Sequence, residues 1–275
     1  MKVVSLHRYP VKSMGGEALA RAVVTPRGLD GDRRWMMVRD DGRFLTRREL
    51  PAMALVSAQP IGHGPTGHGL RLRHRVPGGD GTGELDVPVP PSGAPELPVR
   101  VWGDEVTGRD AGPVAAAWLS AIFGRPVRLV HMAEETVRPV HPDYGAAGDQ
   151  VSFADGFPLL VTTVESLAAL NARLDAPLDM ARFRPNIVLE GAGAAFAEDG
   201  WRRLRIGGLT LRVVKPCTRC VITTQDVDSG QGTGPEPLRT LKAMGRVWQK
   251  MPVFGQNAIP DGPAAIAVGD AVDVL

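Results

Sequence analysis

The sequence predicts a mostly β fold of the α+β class, with few helices and two β-rich domains. Short alternating or apolar runs recur along the chain between frequent glycines and prolines (33 and 24 residues), which is typical of strands joined by turns. Helical periodicity is confined to three short segments. A polar stretch without a period, residues 132–150, lies near the middle of the chain and indicates an interdomain crossing or a mobile loop.

The predicted strands are the apolar or alternating runs, and one pair of them forms a hairpin. Asp40, Asp41 and Gly42 are turn residues between the runs Trp35–Arg39 and Arg43–Thr46. In chain order the runs are Val3–Arg8, Leu19–Val24, Trp35–Val38, Ala54–Ala58, Leu70–Val76, Leu85–Val89, Val99–Trp102, Val127–His131, Leu159–Thr162, Asn186–Leu189, Leu204–Ile206, Leu209–Val214 and Ala264–Leu275.

The three predicted helices have recognisable ends. The first runs from Pro113 to about Phe123, because proline is favoured at a helix start and Gly124 is a stop signal. The second follows Thr162 and Glu165, which have the spacing of a capping box. The third begins at Pro237 and carries apolar residues at helical spacing.

Length and composition narrow the class of protein. The chain has 275 residues, enough for two modest domains, and we place the boundary so that they span residues 1–132 and 133–275. A net charge of +2 does not indicate a nucleic-acid-binding protein. We see neither a signal peptide nor an apolar run of the ~18 residues that a membrane span needs, so we expect a cytoplasmic protein.

The only two cysteines of the chain lie together in Lys215–Cys220, directly after the alternating run Leu209–Val214. A zinc site would need a second pair of ligands at suitable spacing, and none is present. A thioredoxin-like pair would precede a helix, whereas a strand-like run follows here. Two interpretations remain open: an incidental pair, or a single thiolate ligand for a cofactor that brings its other ligands with it.

Polar clusters at the ends of β segments could together hold an anion. Tyr9–Ser13, Gly31–Trp35 and Arg182–Asn186 each place basic side chains beside a predicted strand, as does Lys215–Cys220. Residues 62–67 fit a dinucleotide-binding pattern, but no helix follows to receive the pyrophosphate, so we interpret them as a surface loop. His63 and His68 have no neighbouring carboxylate or thiol residues in the sequence that would complete a metal site.

Six ordered segments carry a resemblance to a known family. The chain resembles the MOSC-domain proteins, named for the C-terminal domain of molybdenum cofactor sulfurase, and among them the group formed by the mitochondrial amidoxime-reducing component and its bacterial counterparts. The segments are Tyr9–Ser13, Gly31–Trp35, Phe44–Arg48, Phe183–Val188, Cys217–Cys220 with Thr223 and Thr224, and Phe254–Gln256.

This resemblance implies a fold, a cofactor and a set of site residues. The fold would be a β-barrel-like MOSC domain packed against a smaller N-terminal β-rich domain. The cofactor would be the molybdenum cofactor (Mo-molybdopterin), with Cys220 as the catalytic protein thiolate on the metal and Cys217 a packing residue. The residues that would bind the cofactor are Lys12, Ser13, Arg33, Asp155, Arg184, Asn186, Thr218, Arg219 and Asn257.

The resemblance also implies an activity. The protein would reduce N-hydroxylated and N-oxide compounds by oxygen abstraction at molybdenum, with small molecules as substrates and no nucleic acid or membrane as partner. Because two cysteines cannot build an iron–sulfur cluster, electrons would come from a separate ferredoxin-, flavodoxin- or cytochrome-type protein. Two alternatives use the same residues: a non-catalytic carrier of molybdenum cofactor or sulfane sulfur, and a cofactor-free dithiol switch.

Overall fold

The structure is a computed structural model that describes residues 1–64, 67–75 and 82–275. Its α-helices are α1 (Pro113–Phe123), α2 (Val164–Asn171) and α3 (Leu238–Ala243), and single 3-10 turns lie at Pro51–Leu55, Met180–Phe183, Ala197–Gly200 and Val221–Thr224. The strands are β1 (Lys2–Arg8), β2 (Glu17–Leu19), β3 (Arg21–Thr25), β4 (Gly28–Leu29), β5 (Trp35–Val38), β6 (Val56–Gly64), β7 (Gly67–Arg75), β8 (Thr82–Val87), β9 (Glu96–Val101), β10 (Asp104–Asp110), β11 (Arg128–His131), β12 (Leu159–Thr163), β13 (Ile187–Glu190), β14 (Arg203–Ile206), β15 (Leu209–Thr218), β16 (Val247–Trp248), β17 (Met251–Pro260), β18 (Ala264–Ala267) and β19 (Val272–Val274).

The largest sheet joins the two ends of the chain. Its order is β19-β14-β15-β17-β12-β13-β1-β2, and β16 adds to β17. The pairing of β12 with β13 is parallel, whereas β1 pairs with β13 in antiparallel fashion. The mostly β fold class is thus confirmed, and the loops at the ends of β1, β12, β13 and β15 are brought to one region of the molecule.

Smaller sheets complete the fold. One has the order β5-β11-β10-β9, a second is β6-β7-β8, and a third pairs β18 with β3 and β4. The core under the largest sheet is aliphatic and includes Val161, Ile187 and Leu211. A second core lies between α1 and the sheet of β6, β7 and β8, and it contains Trp35 and Leu119.

Local signals predicted several elements at the right place. The strand Trp35–Val38 and the helix Pro113–Phe123 have the predicted bounds, and Gly124 ends that helix in the left-handed conformation (φ 65°). The Asp40–Gly42 turn is also present, with the Gly42 N–H donating to the Arg39 carbonyl at 3.0 Å.

Other predicted bounds are wrong. The second helix is capped by Thr163 rather than Thr162, because the Thr163 side chain accepts the Ser166 N–H. The Glu165 carboxylate turns away and accepts the N–H of Gly191 instead. The run 19–24 is divided between β2 and β3, and the run 54–58 begins in a 3-10 turn before entering β6.

Strand β17 (Met251–Pro260) is the longest of the strands that the sequence prediction missed, which also include β4, β10 and β16. It lies between β15 and β12 in the largest sheet and is buried along most of its length. Its two prolines and its glycine suggest turns rather than a central strand. Gly255 has a φ of 76°, and a Cβ there would come within 2.8 Å of the Val161 carbonyl oxygen.

Some of the sequence predictions cannot be compared with the structure. The glycine-rich pattern at 62–67 lies partly outside the described residues, as do the side chain of His63 and residue 76 of the predicted strand 70–76. Within the described ranges, no helix is both long and apolar enough to cross a bilayer. The domain boundary at 132/133 stays a prediction.

Candidate functional site

A cavity of about 390 Å³ opens where the loops after β1, before β12, before β13 and after β15 meet. All ten residues named from the sequence line it, although they come from distant parts of the chain. They are Lys12, Ser13, Arg33, Asp155, Arg184, Asn186, Thr218, Arg219, Cys220 and Asn257.

Lys12 is buried in the cavity wall and holds the loop that precedes β12. Its Nζ donates to the Phe153 carbonyl at 2.8 Å and to Asp155 Oδ1 at 2.5 Å. Burial lowers the pKa of Lys12, and the Asp155 carboxylate partly opposes that effect. The pKa of Asp155 would be raised by desolvation, but the charge and hydrogen bond of Lys12 hold it below its usual value. Lys12 Nζ and Asp155 Oδ1 therefore form a close ion pair at 2.5 Å.

Two guanidinium groups lie against the ring of the buried Tyr9. Arg33 Cζ is 4.4 Å and Arg184 Cζ is 4.1 Å from the ring centroid. Burial raises the pKa of Tyr9 to about 12, so the ring remains neutral. Burial and the adjacent Arg33 lower the pKa of Arg184 to about 9, which leaves its guanidinium charged at pH 7. The aromatic face offsets part of the repulsion between the two cations.

Asn186 ties the cavity wall to the sheet. Its Oδ1 accepts the Leu160 N–H at 3.1 Å and Arg33 Nη1 at 3.2 Å. Its Nδ2 donates to the His7 carbonyl at 3.2 Å. The amide therefore fixes the position of Arg33 relative to β1 and β12, and removing it would leave buried backbone groups without partners.

Both cysteine sulfurs face arginine side chains at the cavity. Arg48 Nη2 lies 3.1 Å from Cys220 Sγ, and Arg219 Nη1 lies 2.9 Å from Cys217 Sγ. The Arg219 Nη2 also donates to the Phe183 carbonyl at 2.7 Å. Cys217 lines the cavity and is half-buried, and its assignment as a packing residue stays a prediction. Its strand ends there, which leaves the side chain at the edge of the core.

The sequence reasoning did not assign two residues that shape the site. Arg48 lies in one of the resemblance segments but had no role, and Trp102 is the last residue of a predicted strand. Arg48 Cζ lies 4.8 Å from the Trp102 ring centroid, so the two side chains form one wall. No local pattern distinguishes them, because their importance depends on contacts with Cys220 and Asp155 far along the chain.

Neighbouring arginines in the same motifs point elsewhere. Arg34 donates to the Met132 carbonyl and pairs with Glu134, away from the cavity lining. Arg182 donates to Thr233 on the surface. The cavity therefore takes one arginine from each pair, namely Arg33 and Arg184.

The lining suits an anion that carries a soft metal. Five cationic side chains face one carboxylate there, and such an excess favours phosphate-like groups, which arginine binds through paired hydrogen bonds. They are Lys12, Arg33, Arg48, Arg184 and Arg219, against Asp155. Among the residues that the structure describes, no three His, Cys, Asp or Glu side chains cluster as a metal site. A metal bound here would thus take a thiolate from the protein and its other ligands from the anion.

Comparison with known proteins identifies the family of nearly the whole chain. Residues 1–126 match the MOSC N-terminal beta barrel domain, and residues 148–273 match the MOSC domain. The chain is 35% identical to human mitochondrial amidoxime-reducing component 1 over 99% of its own length and 82% of that protein. It is 36% identical to the mouse protein over the same shares, and 33% identical to human mitochondrial amidoxime reducing component 2 over 98% and 82%. The chain therefore belongs to the MOSC family, with a MOSC N-terminal beta barrel domain followed by a MOSC domain.

Proposed function

We propose that this protein is a molybdenum-cofactor-dependent oxidoreductase that reduces N-hydroxylated and N-oxide compounds with electrons from a separate redox protein. The observation that carries the proposal is the position of one cysteine sulfur, Cys220 Sγ, in a cavity with five cationic side chains. The names of the amidoxime-reducing relatives support the reaction class. We also propose that the protein works in the cytoplasm.

The residues present fit the pterin phosphate of that cofactor. Arg219 is buried, and its Nε has no hydrogen-bond partner among the described residues. Arg219 also lines the cavity beside four other cations, which together would bind a phosphate group. The cavity volume of about 390 Å³ also lies within the usual range for cofactor sites.

Each lining residue then has a physical role. Cys220 would supply the thiolate ligand, and Arg48 would orient its sulfur from 3.1 Å. Arg33, Arg184 and the Arg219 guanidinium would hold the phosphate, with Ser13 and Thr218 as hydroxyl donors. When bound, the molybdenum centre supplies the two-electron oxygen-transfer chemistry that converts an N–O bond to an amine or amidine and water. Lys12 would hold Asp155 in place at the cavity mouth through its 2.5 Å hydrogen bond.

A second cavity supports a place for the substrate body. It has a volume of about 580 Å³ and shares Trp102, Asp155 and Phe157 with the first. Lys215 Nζ lies 4.8 Å from the Tyr144 ring centroid in its wall. The lining combines aromatic rings with the cations Lys215 and Arg138 and three carboxylates. An N-hydroxylated group reaching into the first cavity would leave the rest of its molecule here.

The cofactor assignment is tested by metal and pterin analysis of protein expressed in a molybdate-supplied host. We expect about one molybdenum per chain in the wild type and in Cys217→Ser, and a large loss in Cys220→Ser. Arg184→Ala should weaken cofactor binding by ~1.5–3 kcal/mol, the value of one charge-assisted hydrogen bond, so it should retain part of the cofactor. Equal losses in both cysteine variants would favour a dithiol switch and contradict the proposal.

A non-catalytic carrier of the cofactor would use the same residues. An activity assay distinguishes this alternative from the reductase. Cofactor-loaded wild type should reduce a benzamidoxime to the amidine with a viologen radical as electron source. A loaded protein that reduces no N-hydroxylated substrate under these conditions would be assigned as a carrier of the cofactor instead.

A further inference from the structure

A basic groove lies on the outer side of the cofactor cavity, and we call it the arginine surface. It is lined by Arg39, Arg43, Arg48, Arg100 and Trp102, together with Glu49. Four cations thus face one carboxylate. Arg48 and Trp102 also line the cofactor cavity, so the arginine surface is continuous with the proposed active site.

Two of these arginines carry charge that the protein itself does not neutralise. Arg39 pairs with Glu49 and Arg100 with Glu105. Arg43 and Arg48 have no ion pair within the described part of the chain. Arg43 is also the bridge partner of Arg100, whose charge is paired with Glu105. The unpaired charge of Arg43 favours an acidic partner.

Trp102 is the exposed apolar centre of the arginine surface. Trp102 remains 47% exposed, which is unusual for a residue with so large a ring. It is nevertheless held in place, because its ring centroid lies 5.0 Å from that of Phe44 and its Nε1 donates to Asp155 Oδ1 at 3.3 Å. Exposed tryptophan surrounded by arginine is the composition of a protein-binding hot spot.

The arginine surface reaches the cavity thiol through two contacts. The Trp102 ring touches the Arg48 guanidinium, whose Cζ lies 4.8 Å from the ring centroid. The same guanidinium is 3.1 Å from Cys220 Sγ. A redox protein seated on Trp102 would therefore have two side chains, Trp102 and Arg48, between it and Cys220.

We propose that the arginine surface is the docking site of an acidic electron-transfer protein, and that electrons enter past Trp102 and Arg48 toward Cys220. This inference rests on the proposed function. Reduction of one N–O bond consumes two electrons and two protons and releases one water, so a one-electron carrier must dock twice for each turnover. Charge complementarity would speed each encounter and make it dependent on salt.

The docking is tested by calorimetric binding of two acidic probes, a plant-type ferredoxin and a flavodoxin, to cofactor-free protein at low salt. We expect at least one probe to bind the wild type, more weakly as salt rises. The double variant Arg43→Glu/Arg100→Glu should bind it about tenfold more weakly or worse. The matched control Arg173→Glu/Arg202→Glu carries the same charge change on exposed residues outside the arginine surface and should bind like the wild type.

The outcomes separate this inference from the proposed function. Unchanged binding by the Arg43/Arg100 variant, an equal loss in the control, or no binding of either probe to the wild type would overturn the docking site. In loaded protein, the Arg43/Arg100 variant should lose turnover with the protein donor and keep turnover with a viologen radical. Wild type that is inactive even with viologen would instead contradict the proposed function, whatever the binding result.

Discussion

Several residues at the cavity adopt the left-handed backbone conformation with positive φ, which residues other than glycine rarely take. Ser13, Arg33, Trp102 and Arg184 have φ values of 68°, 47°, 57° and 53°. Each such residue costs about 1–3 kcal/mol when it is held outside the common regions. The surrounding contacts maintain the conformation: Arg184 Nη1, for instance, donates to the Met14 carbonyl at 2.7 Å. Among the described residues, four of the seven non-glycine residues with positive φ thus lie at the cavity.

His131 is a residue whose burial has a consequence for stability. It is 1% exposed, lies 4.6 Å from the Trp35 ring, and has no hydrogen-bond partner on either ring nitrogen among the described residues. Burial, with the nearby charges of Arg34 and Arg109, lowers the pKa of His131 to about 3. The folded protein therefore keeps this imidazole neutral over the whole range in which the unfolded chain takes up a proton.

The expected result is a loss of stability in mild acid. Below pH 6.5 the unfolded state binds a proton that the folded state does not, so the free energy of unfolding falls as the pH is lowered toward 3. Between pH 6.5 and pH 5 this group contributes a loss of about 1.6 kcal/mol. Urea unfolding at the two pH values should show that His131→Phe loses correspondingly less than the wild type.

The control for this prediction is His141→Phe, since the His141 side chain is 65% exposed. It should show the wild-type difference between the two pH values. If His131→Phe also shows the full wild-type difference, protonation of the buried imidazole does not govern acid stability.

At the level of single elements, the N-cap of helix α2 is Thr163, one residue after the predicted Thr162, and packing explains this difference. Thr163 Oγ1 accepts the Ser166 N–H, and Thr163 and Ser166 both donate to the buried carboxylate of Glu198. Burial raises the pKa of Glu198, although the two hydroxyl groups oppose this. Thr162, the residue with capping-box spacing, contacts Met180 Sδ instead.

Substitution of the two threonines distinguishes the caps. Thr163→Val should lower the free energy of unfolding by about 1–3 kcal/mol, because it removes the cap and leaves Glu198 with one hydroxyl donor fewer. Thr162→Val keeps the side-chain volume and should cost less. Chemical unfolding of both variants measures the difference, and a larger loss in Thr162→Val would show that the capping-box spacing was the better guide.

At the scale of the whole molecule, the polar stretch before β12 is tied down by one buried arginine. Arg138 is 2% exposed and pairs with Asp104 at 2.8 Å. Its Nη1 donates to the carbonyls of Ser152 and Ala154, and its Nη2 donates to that of Asp155. This one side chain therefore links β10 to the loop that carries Asp155 into the cofactor cavity.

We expect Arg138→Met to lower the free energy of unfolding by about 3 kcal/mol or more, because it leaves three carbonyl groups without their donor. Amide hydrogen exchange should also rise in residues 150–157. The exposed pair of Arg203 with Asp261 provides the control, and Arg203→Met should cost under about 1 kcal/mol. Wild-type exchange rates in Arg138→Met would mean that other contacts hold this loop.

Local sequence patterns predicted the class of fold and the elements with strong start and stop signals. Alternation and turn residues predicted the strand Trp35–Val38, and a proline start with a glycine stop predicted the helix Pro113–Phe123. Such signals depend on residues that are neighbours in the chain, so they can be interpreted without the fold. The resemblance to MOSC proteins supplied the candidate residues, but the chain alone does not show why they belong together.

The tertiary structure decided which polar side chains share a cavity. Arg33 and Arg34 are adjacent in sequence, yet one faces the cavity and the other faces Glu134. Arg48 and Cys220 are 172 residues apart, and their contact depends on long-range packing of the fold. Strand β17 becomes a central strand because β12 and β15 lie on either side of it, although its own residues suggest turns. Long-range pairing, which no local pattern encodes, therefore sets the geometry on which the proposed chemistry depends.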